Sequence, residues 1–417
     1  MIELLFRKNL TFFCLGNQIL FVLKQIKRRI KFVILFLVII LIISKENSSK
    51  EKEEEEEEEE VNIKNNSWII FYRIIGNDFV SINCSNETLI NLKFILQYEF
   101  SFENVKKIWI LNRIVDKEFE EILINILNSY NYFFIRIPFH SNEYHRIPYY
   151  IPFNYPSQEF FYSNNFSNMS SIEKIQLVYT IYHYKNLYAI NRNGAKNFAL
   201  KHGKQEMNVK WLMPFHRNSF LSEENFNKIL HIIKKNSSIE YLIIPNHKII
   251  NNSQVFYLNQ FQIYGEPQII FRYNSKIEYL QTLTDEQDSN EEILSYLGMK
   301  NYSLKKSRWE EKEREALNIS KDKHEYIFQN DTLIFHLSSF NKSIDEQSLY
   351  HRTCNHYQQT LYFLHNLDLK ISSIKLLPNP QTNSDPCAFW SDKNIENIIR
   401  RARNMIIDGK NLEPEYH

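Results

Sequence analysis

Apolar and polar positions alternate along the chain in blocks that predict strands and helices in turn. Continuous apolar runs of strand length cover 68–75, 107–111 and 132–137. Between them, 88–98 and 116–130 have apolar residues at helical spacing. A strand that follows a helix usually runs parallel to the strand before it, through a right-handed crossover. The pattern therefore predicts an α/β fold with a mostly parallel sheet flanked by helices.

The alternation continues with predicted strands at 210–214 and 240–245 and a predicted helix at 223–234 between them. Before them, residues 139–170 are rich in Pro, Tyr, Asn and Ser without periodicity, which predicts a long surface loop. Residues 172–200 have helical spacing, and Asn193-Gly194 is expected to mark either a break in that helix or a tight approach of the backbone.

The pattern changes near residue 280, where the chain becomes more charged. A strand or buried segment is predicted at 331–337, and helices are predicted at 304–317, 349–367 and 394–407. We therefore expect a mainly helical C-terminal subdomain over 281–417, with a soft boundary.

An uncharged apolar run at 32–44 follows the segment 24–31, which carries five cationic groups. Positive charge keeps its side of a membrane segment cytoplasmic, so the run predicts a single-pass type II anchor with the rest of the chain on the lumenal side. The run is short enough for a cleavable signal, but no small-residue cleavage site follows it. A buried helix remains open too, and the apolar stretch 10–23 could form a second membrane helix.

The acidic run Glu53–Glu60 separates this segment from the rest of the chain. Like charges repel, so it predicts an extended, disordered spacer. The predicted organisation is therefore a cytoplasmic tail and anchor at 1–44, a linker at 45–66, an α/β domain at 67–280 and the C-terminal subdomain at 281–417.

Charge and cysteine content bear on whether the chain binds nucleic acid or a metal ion. The 417 residues carry a formal net charge of +1, which gives no concentrated basic surface for nucleic acid. Four cysteines are present, and no two of them have metal-ligand spacing. Cys354 with Cys387 is the one pair that we consider as a disulfide.

Asparagine followed at the second position by Ser or Thr recurs along the chain. Such triplets are glycosylation acceptors in the secretory pathway, although an Asn-rich chain also forms them by chance. They occur at Asn47, Asn65, Asn83, Asn86, Asn165, Asn168, Asn236, Asn251, Asn301, Asn318, Asn330 and Asn341. They support, without deciding, a membrane glycoprotein.

The segment Asn191–Phe226 carries a family resemblance. Its start matches a pattern of small, Ala, Lys, Asn and apolar positions at Gly194, Ala195, Lys196, Asn197, Ala199 and Leu200. A strand at 211–213 and the triplet 216–218 follow. With RIIGND at 73–78 and LNRIVD at 111–116, this segment resembles inverting nucleotide-sugar glycosyltransferases of the A-type fold, and an uncharacterised glycosyltransferase-like group. The resemblance covers about 66–275.

This resemblance implies a nucleotide-sugar donor, a glycan or protein acceptor and site residues at the carboxyl ends of strands. Asp78 or Asp116 could hold the base and ribose. Lys196 or Arg113 could hold the diphosphate, with Asn197 in the same donor site. The remaining implied candidates are His216 and Asn218 for a Mg²⁺ or Mn²⁺ ion, and Glu266 for the general base.

The triplet His216-Arg217-Asn218 departs from the family pattern because it contains no carboxylate. Arg217 would repel a divalent cation, so a metal-free or inactive site is expected. Structural roles compete at each position: His216 and Asp78 as turn residues, and Asn197 as a capping residue at a helix end packed on the sheet.

Several functions therefore remain open. The first is a membrane-anchored glycosyltransferase-like protein of the Golgi or endoplasmic reticulum lumen. The second is a non-catalytic membrane glycoprotein that uses the same fold for carbohydrate binding or interaction. The third is a secreted structural domain without a ligand. Whether the chain is an enzyme is left open by the sequence.

Overall fold

The continuous apolar runs form a central sheet, because strands buried on both faces need apolar side chains on both. The structure is a computed structural model that describes residues 68–77, 87–152, 155–236, 238–257, 267–282, 284, 289–299, 324–338, 349–379 and 387–407. These residues belong to one compact unit, Asn66–His417. The predicted anchor, the acidic linker and the predicted helix at 304–317 lie outside the described residues.

Two sheets are present in the described ranges. The strands of the larger sheet are β1 (Ile69–Ile75), β2 (Val105–Asn112), β3 (Phe133–Ile137), β4 (Trp211–His216), β6 (Tyr241–Ile244), β8 (Gln268–Arg272) and β9 (Tyr326–Phe328). The smaller sheet contains β5 (Ser219–Phe220), β7 (Asn246–Lys248) and β10 (Ile334–His336).

The larger sheet has the strand order β3-β2-β1-β4-β8-β6-β9. Its strand pairs are parallel except those made by β8, which runs antiparallel to both β4 and β6. The predicted α/β fold with a mostly parallel sheet is therefore confirmed.

Helices connect and cover these strands. In chain order they are α1 (Glu87–Tyr98), α2 (Lys117–Ser129), α3 (Ser141–Arg146), α4 (Asn164–Ser167), α5 (Ser171–Ile181), α6 (His183–Ala189), α7 (Arg192–Gln205), α8 (Glu223–Lys235), α9 (Ser289–Tyr296), α10 (Leu349–Ser372) and α11 (Asp392–Ile407). Short 3₁₀ helices lie at Glu159–Tyr162 and Asn252–Phe256. Within these ranges, no helix is both long and apolar enough to cross a bilayer.

Both faces of the sheet are covered, because successive side chains of a strand point to opposite faces. From β1, Ile70 and Tyr72 pack with residues of α7 and α9, while Ile69 and Phe71 pack with α8. Near β2, α1 and α2 bury leucines and isoleucines against the same sheet. The result is a three-layer arrangement with the sheet in the middle.

The prediction of a plain surface loop at 139–170 is wrong. This stretch contains α3, the first 3₁₀ helix and α4, and several of its aromatic side chains are buried against α5, α10 and α11. Examples are Tyr144, Phe161 and Phe166. The sequence lacked periodicity here because short helical turns, rather than one long element, place these aromatics in the core.

A buried ion pair joins α6 to the C-terminal helix α10. The Lys185 ammonium on α6 lies 2.8 Å from a carboxylate oxygen of Asp368 on α10. The Tyr149 hydroxyl donates to the other carboxylate oxygen at 2.6 Å. The pair is almost fully enclosed, and each charge there has a partner, as buried charges require.

The helix predicted at 172–200 is instead three helices, α5, α6 and α7. The chain breaks at Tyr182 and again at Ile190 and Asn191, whereas Gly194 lies inside α7. Asn191 adopts a left-handed conformation with φ of 41°, which asparagine tolerates better than most residues. The break thus falls before Gly194, and Gly194 is instead a tight approach, because a Cβ atom there would lie 2.1 Å from the Asn191 side-chain oxygen.

The C-terminal part contributes strands as well as helices. β9 pairs with β6 of the larger sheet, and β10 lies between β5 and β7. The predicted boundary near residue 280 stays a prediction, and residues on both sides of it share the same sheet. The predicted disulfide is confirmed: Cys354 on α10 bonds to Cys387, with 5.1 Å between their Cα atoms.

Candidate functional site

The strand order reverses between β1 and β4. The chain passes from β1 outward to β2 and β3, and then returns to place β4 on the other side of β1. Loops that leave two strands in opposite directions open a crevice at their carboxyl ends, where open α/β sheets bind ligands. Here β1 is followed by Gly76 and Asn77, and β4 ends at His216, which pairs with Ile74.

Two asparagines fix the start of α7 at this crevice. The Asn77 amide donates to the carbonyls of Arg113, at 2.8 Å, and Ala189, at 3.1 Å. The Asn112 amide donates to the carbonyl of Ile190 at 2.7 Å. Both asparagines stand at strand ends, so they hold the turn before α7 against the edge of the sheet. An Asn directly after a buried strand is the signal that could have marked Asn77.

Arg113, predicted for donor binding, packs onto α6. Its guanidinium lies 4.1 Å from the centre of the Tyr188 ring and donates to the Tyr188 carbonyl at 2.5 Å. Burial lowers the pKa of Arg113, and Tyr188 and Glu143 partly offset that effect. Its φ of 49° turns the chain sharply after β2. These contacts give Arg113 a structural role, and its donor-binding role stays a prediction.

Asp116, also predicted for donor binding, caps helix α2. Its carboxylate accepts from the backbone N–H groups of Glu118, at 3.0 Å, and Phe119, at 3.2 Å. This geometry satisfies two helix-start donors and is the usual use of aspartate before a helix. The side chain is exposed. Binding of the ribose or base by Asp116 stays a prediction.

Lys196 and Asn197 bind the segment that follows β8. The Lys196 ammonium lies 3.3 Å from the Asn290 side-chain oxygen and 4.5 Å from the centre of the Tyr279 ring. The buried Asn197 amide donates to the Tyr279 carbonyl at 2.7 Å and accepts from the Tyr279 N–H at 2.8 Å. Asn197 therefore both donates a hydrogen bond to the Tyr279 backbone and accepts one from it. The Lys196 charge lies beside the crevice.

The turn after β4 combines His216, Asn218 and a carboxylate from α1. The Asn218 N–H donates to Nδ1 of His216 at 3.2 Å, and the Asn218 amide donates to Glu87 at 3.2 Å. The His216 ring stacks on that of His336, with centroids 5.1 Å apart. Sequence reasoning missed both Glu87 and His336, because α1 and β10 come from distant parts of the chain.

The surroundings of His216 are cationic. Burial holds its pKa well below the ordinary value, and the nearby His336, Arg192, Arg217 and Lys196 lower it further. The imidazole is therefore neutral at physiological pH. The same field that disfavours a proton on His216 attracts an anion.

These residues do not fit Mg²⁺ or Mn²⁺. Such ions need several hard oxygen ligands, and the triplet supplies none that carries a negative charge. Nδ1 of His216 already accepts from the Asn218 N–H, and three cationic side chains act on the same ring. Across the described residues, no group of three or more His, Cys, Asp or Glu side chains could hold a metal.

Two acceptor oxygens at the crevice lack a partner among the described residues. They are the side-chain oxygens of Asn112, which is 1% exposed, and Asn218, which is 4% exposed. A buried polar atom without a hydrogen bond costs roughly 1 to 3 kcal/mol. A hydroxyl or N–H of a ligand would satisfy such an oxygen.

Two predicted site residues, Asp78 and Glu266, lie outside the described residues. Of the others, His216 and Lys196 come close enough to interact, and Asn218 belongs to the same turn. A separate surface groove of about 400 Å³ lies between α8 and residues 329–331. None of the residues that line it belongs to the crevice.

No protein-family model matches this chain, and no curated protein matches its sequence. A structural comparison, in contrast, does match this chain to solved structures. Residues 1–349 of TarS from S. aureus match with 10% identity and a TM-score of 0.33, over 73% of this chain and 72% of that one. The 4-diphosphocytidyl-2C-methyl-D-erythritol synthase of Anaerococcus prevotii matches with 11% identity and a TM-score of 0.27, over 72% and 98%.

A glycosyltransferase involved in glycosylation of the major capsid of PBCV-1 matches with 10% identity and a TM-score of 0.21, over 70% of this chain and 98% of that one. At such identities and TM-scores, these similarities assign neither a family nor an activity to this chain.

Proposed function

We propose that this protein is a glycosyltransferase-like protein that binds a nucleotide sugar between the carboxyl ends of β1 and β4. The observation that carries the proposal is the reversal of strand order between these strands. The start of α7 and the cationic turn after β4 lie at the same edge of the sheet as this reversal. A crevice of that kind suits an anionic, polar ligand such as a nucleoside diphosphate sugar.

The reaction we propose is transfer of the sugar to a glycan or protein hydroxyl. The acceptor oxygen attacks the anomeric carbon while its proton passes to a general base. The bond from that carbon to the diphosphate oxygen breaks, and the nucleoside diphosphate leaves with the electron pair. We propose Glu266 as the catalytic general base. We propose Asp78 or Asp116 as the residue that binds the nucleobase and ribose of the donor.

We also propose that the chain is a type II membrane glycoprotein of the endoplasmic reticulum or Golgi. The uncharged run at 32–44 and its cationic flank support this orientation. The Cys354–Cys387 disulfide supports it, because disulfides persist in oxidising compartments. Within the described ranges, four glycosylation triplets have an exposed asparagine, namely Asn165, Asn168, Asn251 and Asn330.

A non-catalytic role in carbohydrate binding or interaction is the second candidate. The specific observation in its favour is the turn His216–Asn218, which offers no carboxylate to a metal. A chain that keeps the fold without turnover would bind a glycan or a partner and release no nucleotide.

The test uses the full-length chain in detergent micelles. Binding of UDP-sugars and GDP-sugars is measured by calorimetry with and without Mn²⁺, and nucleotide release is followed with a glycan acceptor mixture. We expect binding of one donor class and release of its nucleoside diphosphate. The variant Glu266→Gln should still bind the donor but release nucleotide about 100-fold more slowly or worse, because it cannot accept the proton.

Absence of binding for every nucleotide sugar would refute donor binding and leave the non-catalytic role. Full activity of Glu266→Gln would refute that base while leaving the transferase proposal intact. A matched control is Glu325→Gln, an exposed glutamate beside β9, which should leave both binding and release unchanged.

A further inference from the structure

Three cationic side chains from two elements act on one point of the crevice. Arg192 and Lys196 lie one turn apart on α7, on the same side of the helix. Arg217 lies in the turn after β4. All three lower the pKa of His216 through their positive charge, although the residues come from different segments of the chain. Glu87, which accepts from Asn218, is the carboxylate that the same turn contacts.

The backbone of α7 adds to this field. A helix carries partial positive charge at its N-terminus, where the first N–H groups lack partners within the helix. The residue before α7, Asn191, makes no side-chain capping hydrogen bond. Asn112, whose amide donates to the carbonyls of Ile190 and Asn191 beside this helix start, has a buried oxygen with no partner in the part of the chain that the structure describes.

These features match a diphosphate flanked by hydroxyl groups. Cationic side chains and a helix N-terminus suit the phosphate oxygens, and the unpartnered oxygens of Asn112 and Asn218 suit hydroxyl donors of a ribose or sugar. A divalent cation is disfavoured beside them, because the three positive side chains repel it and the turn His216–Asn218 contains no carboxylate.

We infer that the chain binds the diphosphate of its donor without a metal, through Arg192, Lys196 and Arg217. This inference rests on the proposed function, since the diphosphate belongs to the donor that the crevice would hold. In chemical terms, the side-chain cations neutralise the charge that a divalent ion would otherwise neutralise on the departing nucleoside diphosphate.

The test measures binding of UDP, GDP and inorganic pyrophosphate to the full chain in micelles, once in EDTA and once in Mn²⁺. We expect unchanged affinity after EDTA treatment and a fall in affinity as salt increases. Arg192→Gln, Lys196→Gln and Arg217→Gln should each weaken the binding of pyrophosphate and of the preferred nucleotide by about tenfold, the loss of one charge-assisted hydrogen bond.

The control on the same helix is Lys201→Gln. Lys201 is exposed, and this substitution removes one positive charge, as each of the three test substitutions does. It should leave every affinity unchanged. Arg217→Lys keeps the charge and should recover much of the loss, which separates a loss of charge from a folding defect. Uridine and guanosine, which carry no phosphate, should bind the three glutamine variants as they bind the wild type.

The outcomes separate this inference from the proposed function. Pyrophosphate binding without any nucleotide binding supports the anion site and refutes the nucleotide-sugar proposal. Nucleotide binding that requires Mn²⁺, or that none of the three variants weakens, overturns the metal-free inference and leaves the proposed function standing. Absence of pyrophosphate binding in EDTA also overturns the inference.

Discussion

At the residue scale, Gly203 shows how closely helix α7 approaches the sheet. A Cβ atom at this position would lie 2.2 Å from Cδ2 of Leu212 and 3.1 Å from the Tyr72 hydroxyl. Leu212 on β4 and Tyr72 on β1 are fully buried, so neither has space to move away. The glycine therefore sets the distance between α7 and the two strands that flank the crevice.

We predict that Gly203→Ala destabilises the protein. In an exposed helix interior this change stabilises by about 1 kcal/mol, because alanine is the better helix former. Here overpacking reverses the sign and should cost about 1 to 3 kcal/mol. Denaturant unfolding measures the difference, with the exposed Lys201→Ala as the control. A Gly203→Ala protein as stable as the control would contradict this packing.

Sequence could suggest individual site residues only where strand ends were visible. Lys196 and His216 lie near the switch point, and each is close in the chain to a readable element, while the binding roles predicted for them stay predictions. Glu87 and His336 could not be anticipated, because the tertiary fold alone brings α1 and β10 to this turn. The helix-capping role of Asp116 was missed, because only a ligand-binding role was considered for it from the sequence.

At the scale of elements, the disulfide joins α10 to the segment that leads into α11. Both helices pack on α5 and on the aromatics of 139–170. The cysteines are 33 positions apart, so the bond closes a long loop in the unfolded chain. Constraining that loop lowers the entropy of the unfolded state.

We predict that replacing both cysteines, Cys354→Ser with Cys387→Ser, lowers the free energy of unfolding by about 3 to 4 kcal/mol. Dithiothreitol should destabilise the wild type by a similar amount and leave the double variant unchanged, because the variant has no bond to reduce. Thermal unfolding under both conditions provides the measurement. An unreduced wild type no more stable than the double variant would contradict the constraint.

Elements with a clear period were predictable, and elements without one were not. The strands from β1 to β4 and helices α1, α2 and α8 appear within a few residues of their predicted bounds. The segment 139–170 was unreadable, because turns of four to six residues are too short to establish a period. Strand β10 is three residues long, and the sequence indicated a strand or a buried segment there without deciding between them.

At the scale of the whole molecule, buried histidines couple stability to pH. His183 on α6 is almost fully buried, and burial lowers its pKa to about 4. In the unfolded chain a histidine binds its proton below about pH 6.5. The folded state therefore binds fewer protons than the unfolded state between these two values, and stability falls as pH decreases through this range.

We predict that His183 alone accounts for about 3 kcal/mol of stability lost between pH 6.5 and pH 4. The neutral variant His183→Gln should lose less stability over this range, because it removes one group that must be protonated on unfolding. Urea unfolding at several pH values compares the two slopes. Identical slopes would contradict a neutral, buried His183.

The central claim is that a nucleotide sugar binds at the switch point between β1 and β4. Hydrogen exchange of the full chain, with and without a saturating nucleoside diphosphate, in EDTA and in Mn²⁺, tests that location most directly. We predict slower exchange at Asn191–Lys196 and His216–Ser219, with no change along α8. Protection confined to the groove between α8 and residues 329–331, or no protection at all, would contradict it.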